Sequence, residues 1–174
     1  MSSLHNPATI TYEQMMALFL ETREQIKEIA RENAKLGDRL GQLVAAMVEG
    51  GIIRMFKDLG YDFDVINPKQ RFGNKELGIY GEIDLFLENG EFALLVEVKT
   101  NLTVDDVREH RERLEKFRLV ANAKNDKRQF IAAVGGGVVQ DNVRIFALKH
   151  GMFVVQQSGE NVEILVPEGK PKVW

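Results

Sequence analysis

Cysteine is absent from the chain. That excludes a disulfide framework, thiol catalysis and any zinc site built on thiolates. A basic excess is absent too: 23 Lys and Arg stand against 26 Asp and Glu, for a net charge of −3. Contact with nucleic acid therefore requires a local patch, because the whole-protein field does not favour it. The N-terminal MSSLHNPATI lacks the basic start and apolar core of a signal peptide, and no run of about 18 apolar residues follows. The expectation is a cytoplasmic protein with no membrane partner. Histidine is scarce as well, and His5, His110 and His150 show no metal-ligand spacing.

What is present is the material of an ordinary globular protein, with 44% apolar and 28% charged residues among 174. That suits one domain with a real core, plus an appendage. The sequence divides into residues 1–37, an N-terminal helical extension, and residues 38–174, an α/β domain.

In the first part, Met15, Phe19, Thr22, Ile26, Ile29, Asn33, Leu36, Leu40, Leu43 and Met47 recur at spacings of four and three without a slip. This is a heptad seam with Asn33 at an a position, where a polar residue fixes register and favours a parallel two-stranded coil. The expectation is a homo-oligomer through this helix; the competing reading is an amphipathic helix packed on its own domain. Gly37 and Gly41 each cost roughly 1 kcal/mol relative to Ala in a helix. With Asp38 as a possible N-cap, they predict a break or bend near Gly37.

The second part alternates between strand and helix signals. YDFDVI (61–66) reads as a strand, PKQRFGNKELG (68–78) as a loop, and IYGEIDLFLE and EFALLVEVKT as strands joined at Asn89-Gly90, a strong hairpin signal. A helix follows from Asp105 to about Ala121, then a buried strand, QFIAAVGG. VGGGVV (134–139) reads as a strand-to-helix turn, since it lacks the rest of a phosphate-binding motif. A helix (140–151) and a final strand pair complete an α/β domain with a mixed sheet.

The hairpin holds the feature that calls for chemistry. If Asn89-Gly90 are the central turn residues, Glu88 faces Glu91, Asp84 faces Leu95, Glu82 faces Glu97 and Tyr80 faces Lys99. Glu82, Asp84, Glu97 and Lys99 then share one face at one end of the hairpin. Like charges in apposition destabilise a sheet, and a hard divalent cation such as Mg²⁺ offsets that through carboxylate and carbonyl oxygens. A neighbouring lysine could orient or deprotonate water, or neutralise charge on a phosphate, as metal-assisted phosphodiester hydrolysis needs. The plain alternative is a solvated sheet face on which Lys99 pairs with Glu82 or Glu97.

An Asp in a strand, a hairpin, Glu-Val-Lys in the next strand and a helix beyond resemble the PD-(D/E)xK nuclease superfamily, whose restriction-endonuclease-like core runs α-β-β-β-α-β around a mixed central sheet. The segments LGQLVAAMVEGGI, GEIDLFL, LLVEVKTNLTVDDVREHRERLEKF, VVQQSGENVEIL and PKVW are similar to those of a widespread group of bacterial proteins assigned to that superfamily. These proteins carry an N-terminal coiled-coil-like extension. The resemblance implies Asp84 and Glu97 as metal-binding acids for Mg²⁺ or Mn²⁺, the carbonyl of Val98 as a further metal ligand, and Lys99 as the catalytic lysine. Glu49 is the candidate extra acid of the first core helix, and Glu82 an accessory ligand or a partner for Lys99. Ile83 stands where the motif has Pro.

The implied activity is metal-dependent hydrolysis of nucleic acid, DNA before RNA. The alternative is a non-catalytic nuclease-fold scaffold or nucleic-acid-binding module that oligomerises through its coiled coil. From Lys99 to Arg128 there are nine Lys or Arg and six Asp or Glu. Arg108, Arg111, Lys116 and Arg118 are the candidate phosphate contacts. Glu109, Glu112 and Glu115 interleave with them and offer intrahelical ion pairs instead.

Overall fold

A computed structural model describes residues 11–46, 51–158 and 161–174, with the side chains of Leu36, residues 38–46 and Asn161 left out. The chain separates into two compact units, Met1–Gly37 and Asp38–Trp174.

The first long element is α1 (Tyr12–Ala46). Thr11 starts it: its hydroxyl accepts from the Gln14 N–H at 3.2 Å, and the Gln14 side chain accepts from the Thr11 N–H at 2.9 Å. This reciprocal capping box satisfies two otherwise orphan donors. Glu24–Lys27 and Glu28–Arg31 add i,i+3 ion pairs. The expected break at Gly37 is not there, since α1 runs through Gly37 to Ala46. Two glycines cost about 2 kcal/mol in all, and the strong helix formers on both sides outweigh that. Every side chain from Tyr12 to Lys35 is exposed, including the seam residues Met15, Phe19, Ile26 and Ile29.

The second unit is built on α2 (Ile52–Asp58), β1 (Val65–Asn74), β2 (Ile79–Glu88), β3 (Phe92–Leu102), α3 (Val104–Ala123), β4 (Gln129–Val139), α4 (Asp141–Lys149), β5 (Phe153–Ser158) and β6 (Asn161–Leu165). The six strands form one mixed sheet in the order β1-β2-β3-β4-β5-β6. β3, β4 and β5 run parallel, joined by crossovers through α3 and α4, and the remaining pairs are antiparallel. One core lies between the sheet and α3 and α4, around Leu95, Leu114, Phe117 and Phe130. The other lies on the α2 face, where Phe56 meets Tyr61, Phe63 and Phe153 edge-on at 5.0–6.2 Å. β3 and β4 are therefore covered on both faces and read as near-continuous apolar runs. Among the described buried residues the polar exceptions are Glu97 and His110.

Two expected irregular stretches are strands. PKQRFGN continues β1 to Asn74, so the loop shrinks to the turn after it. β1 is an edge strand, which is where Pro68 is tolerated and where polar side chains face water; Phe72 alone is fully buried there. VGGGVV lies within β4 rather than after it. A Cβ on Gly136 would stand 3.0 Å from Leu102 Cβ and Val139 Cγ2, so glycine here allows β3 and β4 to stay in register to their ends.

Candidate active site

The site begins with a register. The Asn89 side-chain carbonyl accepts from the Glu91 and Phe92 N–H groups at 2.9 and 2.6 Å, and its amide donates to the Asp62 carbonyl at 2.8 Å. The Asn89 N–H also bonds the Phe92 carbonyl at 3.0 Å. Gly90-Glu91 are thus the central turn residues instead of Asn89-Gly90, and Glu88 faces Ala93 rather than Glu91. A slip of two keeps every residue on its face but changes its partner. Continued past its last pair, Leu85–Val96, this register sets Asp84 rather than Glu82 across from Glu97.

Asp84 sits where the sheet departs from regularity. The β2–β3 ladder stops at Leu85–Val96. The β1–β2 ladder skips Lys69 and Asp84 between Pro68–Leu85 and Gln70–Ile83. Lys69 has φ 51, a left-handed conformation that non-glycine residues rarely adopt. The alternation of faces also slips here: Ile83 and Phe86 both belong to the α3-side core, and Leu85 and Leu87 to the α2-side core. At this bend the Asp84 carboxylate replaces a main-chain acceptor, taking the Val98 N–H on Oδ2 at 2.8 Å. Burial pushes the Asp84 carboxyl above the usual carboxylate range. The Val98 N–H acts against that shift, and the Glu97 charge adds to it.

Glu97 is 2% exposed on the α3 side of β3. Lys99 Nζ donates to its Oε1 at 2.7 Å, and Arg113 Nη1 donates to Oε2. The hydrogen bond to Glu97 raises the Lys99 ammonium above its ordinary value, against desolvation, with help from the Glu97, Asp84 and Asp106 charges. Lys99 is therefore a cation at neutral pH, suited to orienting water or balancing phosphate charge. It cannot deprotonate water in this state.

Two partners of Glu97 come from α3. Thr103 caps this helix in a reciprocal box with Asp106, which fixes its start against the end of β3. Two turns in, His110 is wholly buried, and its Nε2 lies 3.2 Å from the Leu95 carbonyl. A carbonyl only accepts, so Nε2 carries the proton and Nδ1 the lone pair. That Nδ1 is buried, has no hydrogen-bond partner, and lies 3.9 Å from Glu97 Oε2. Burial lowers the His110 pKa to about 4, so the ring is neutral at physiological pH.

Of the residues expected at the site, Asp84, Glu97 and Lys99 come together. Val98 joins them through its N–H, the group opposite to the carbonyl expected to face a metal. Glu82 is drawn away to Arg71, its cross-strand neighbour on β1, at 3.1 Å. Glu49 lies outside the described residues. His110 and Arg113 were not expected here. The usable signal was that His110 stands between Val107 and Leu114 on the buried face of α3, with Arg113 one turn further on.

The candidate phosphate contacts separate. Arg108 pairs with Asp105 at 2.7 Å and lies over the Phe146 ring. Arg111 lines a cavity on the α4 side, and Lys116 is exposed. Arg118 is a structural residue: it donates to the main-chain oxygens of Arg128 and Trp174 at 2.6 Å each and lies 3.9 Å over the Phe130 ring. Burial lowers its pKa, and its donors are committed to the fold. Among the described residues, Glu109, Glu112 and Glu115 form no ion pair with the arginines between them.

Asp84 and Glu97, two carboxylates from neighbouring strands, are the oxygen donors that the site offers a hard divalent cation. Asp84 Oδ1 accepts no hydrogen bond among the described residues, whereas both Glu97 oxygens are already engaged. No group of three His, Cys, Asp or Glu among the described residues is disposed to hold a metal. Among them, too, no helix is long and apolar enough to cross a membrane. No family model and no curated protein matches the chain.

Proposed function

We propose that the protein is a metal-dependent phosphodiesterase acting on nucleic acid, DNA in preference to RNA, built on a restriction-endonuclease-like core. The observation that carries this reading is the apposition of Asp84 and Glu97 at the bend of β2, with Lys99 held on Glu97. The order from α2 to β4, helix, three strands, helix, strand, supports the core assignment.

In this reading Asp84 and Glu97 hold Mg²⁺ or Mn²⁺, with water filling the remaining positions and Glu49 a candidate further ligand. The ion, when bound, lowers the pKa of water and polarises the phosphoryl group. The Val98 N–H holds one Asp84 oxygen and leaves the other free. Lys99 faces the scissile phosphate as a cation and orients the attacking water. Arg113 donates to Glu97 Oε2 and holds that carboxylate in place inside the core. Two carboxylates and two cations cancel, so the site has little charge with which to retain a divalent ion alone. Ion and phosphate therefore bind best together, since the phosphate brings the negative charge that the site lacks.

The exposed seam of α1 supports a second element of the reading, assembly with further copies of the chain. Met15, Phe19, Ile26 and Ile29 are 54–67% exposed at heptad positions, and a parallel copy would cover them with Asn33 paired to Asn33.

Lys99→Ala tests the catalytic assignment. Cleavage of duplex DNA should fall at least a hundredfold, as for loss of an electrostatic stabiliser, while Mn²⁺ binding by calorimetry persists. Retained cleavage would remove Lys99 from the mechanism.

A further inference from the structure

On the α4 side of α3 lies a cavity of about 500 Å³ whose polar lining is Arg111, Lys149, His150, Glu168, Lys170 and Lys172. Two lysines are brought there by the C-terminal segment, which is tied down at several points. The Lys172 N–H donates to the Gly151 carbonyl at 3.0 Å and the Trp174 N–H to the Phe130 carbonyl at 2.9 Å. Arg118 holds the Trp174 main-chain oxygen. Gly151, at φ +76, is what allows the approach, because a Cβ there would stand 2.7 Å from the Lys172 nitrogen. Glu168, Lys170 and Lys172 alternate along this segment and all line the cavity.

The cations at this cavity differ from their neighbours in not being paired with an acid, although Glu168 lines the same cavity. Arg108 and Arg144, on the same two helices, are tied to Asp105 and Asp141. Among the described residues Arg111, Lys149, Lys170 and Lys172 enter no ion pair, and Lys172 rests 4.6 Å from the centroid of the Trp174 ring. Four cations beside one carboxylate concentrate positive potential in a concave wall of a protein that is negative overall. Like charges held together in this way are offset by a polyanion.

We propose that this cavity binds backbone phosphates of the nucleic acid whose cleavage is assigned to the Asp84–Glu97 site; the choice of ligand rests on that reading. Arg111 and Arg113 are about 200° apart around α3, so the cavity and the carboxylates flank this helix on opposite sides. One nucleic acid fills both by crossing α3, roughly 10 Å wide. The cavity therefore holds phosphates removed from the scissile bond and reads no sequence.

The test is binding of a fluorescent 20-base-pair duplex in EDTA, where no cleavage occurs, to wild type and Lys149→Gln/Lys170→Gln/Lys172→Gln. A control variant, Lys35→Gln/Lys75→Gln/Lys127→Gln, removes the same charge elsewhere. The cavity variant should bind at least tenfold more weakly at 0.1 M salt, with a salt slope about 2–3 shallower, and the control should stay near wild type. Equal affinity and slope in wild type and cavity variant would overturn the proposal. So would binding of a nucleoside triphosphate, but not duplex, at the cavity. Cavity-dependent binding by a wild type that never cleaves would refute the hydrolytic reading alone.

Discussion

His110 offers the most quantitative consequence of the site. Its pKa of about 4 lies below the ordinary 6.5 because the ring is wholly buried. Between those values the unfolded chain binds a proton that the folded chain refuses. Stability therefore rises with pH across this window, and is lost as pH falls through it. At about 1.4 kcal/mol per tenfold change in proton affinity, the full loss is roughly 3.5 kcal/mol, of which about 2.5 is reached by pH 4.5. This is a large part of the 5–15 kcal/mol typical of a domain.

Asp84 opposes the trend. Its carboxyl is raised by burial, so its contribution favours the fold as pH falls and is lost as pH rises through the raised value. His110→Gln separates the two, because glutamine can still donate to the Leu95 carbonyl but does not titrate. Urea unfolding of both proteins at pH 7 and 4.5 gives the comparison. Wild type should lose roughly 2.5 kcal/mol more than the variant over that interval. Parallel losses, within about 0.5 kcal/mol, would show that His110 is charged in the fold or reaches solvent. A wild type that loses less stability than the variant over that interval would mean that Nδ1 binds a proton against Glu97.

Two further outcomes follow from named contacts. Breaking a buried ion pair costs about 3–5 kcal/mol, but Arg113 is 27% exposed and Lys99 remains on Glu97. Arg113→Gln should therefore destabilise by roughly 2 kcal/mol, and in a cycle with Glu97→Gln the coupling should exceed about 1 kcal/mol; additivity within about 0.5 would refute the pairing. Asn33→Leu should stabilise the α1 oligomer or change its order in sedimentation equilibrium. Unchanged order and stability would place Asn33 outside any seam.

The legible parts of this molecule were those set by periodicity. The run of α1, the paired strands β2 and β3, the helix after Lys99 and the final strand pair all follow from spacing and turn residues. The hairpin register did not, because Asn89 acts through its side chain rather than as a turn centre; this moved the partner of Glu97 from Glu82 to Asp84. β1 from Pro68 onward looked like a loop because an edge strand shows water its polar residues. His110 looked isolated because its partners, Leu95 and Glu97, come from another element. Arg113 could not be told in sequence from Arg108, Arg111 and Arg118, each of which the fold uses differently. The bend at Asp84 needed the sheet, since its causes lie in β1 and β3 as much as in β2.

The central claim is that Asp84 and Glu97 converge to cleave a phosphodiester. The most direct measurement is Mg²⁺- and Mn²⁺-dependent cleavage of plasmid, linear duplex and single-stranded DNA by wild type, beside Asp84→Ala/Glu97→Ala prepared in the same way. The account predicts cleavage that needs the metal and disappears in the double variant. Cleavage that survives in the variant, or a wild type that neither cleaves nor binds Mn²⁺ in the presence of DNA, would contradict it.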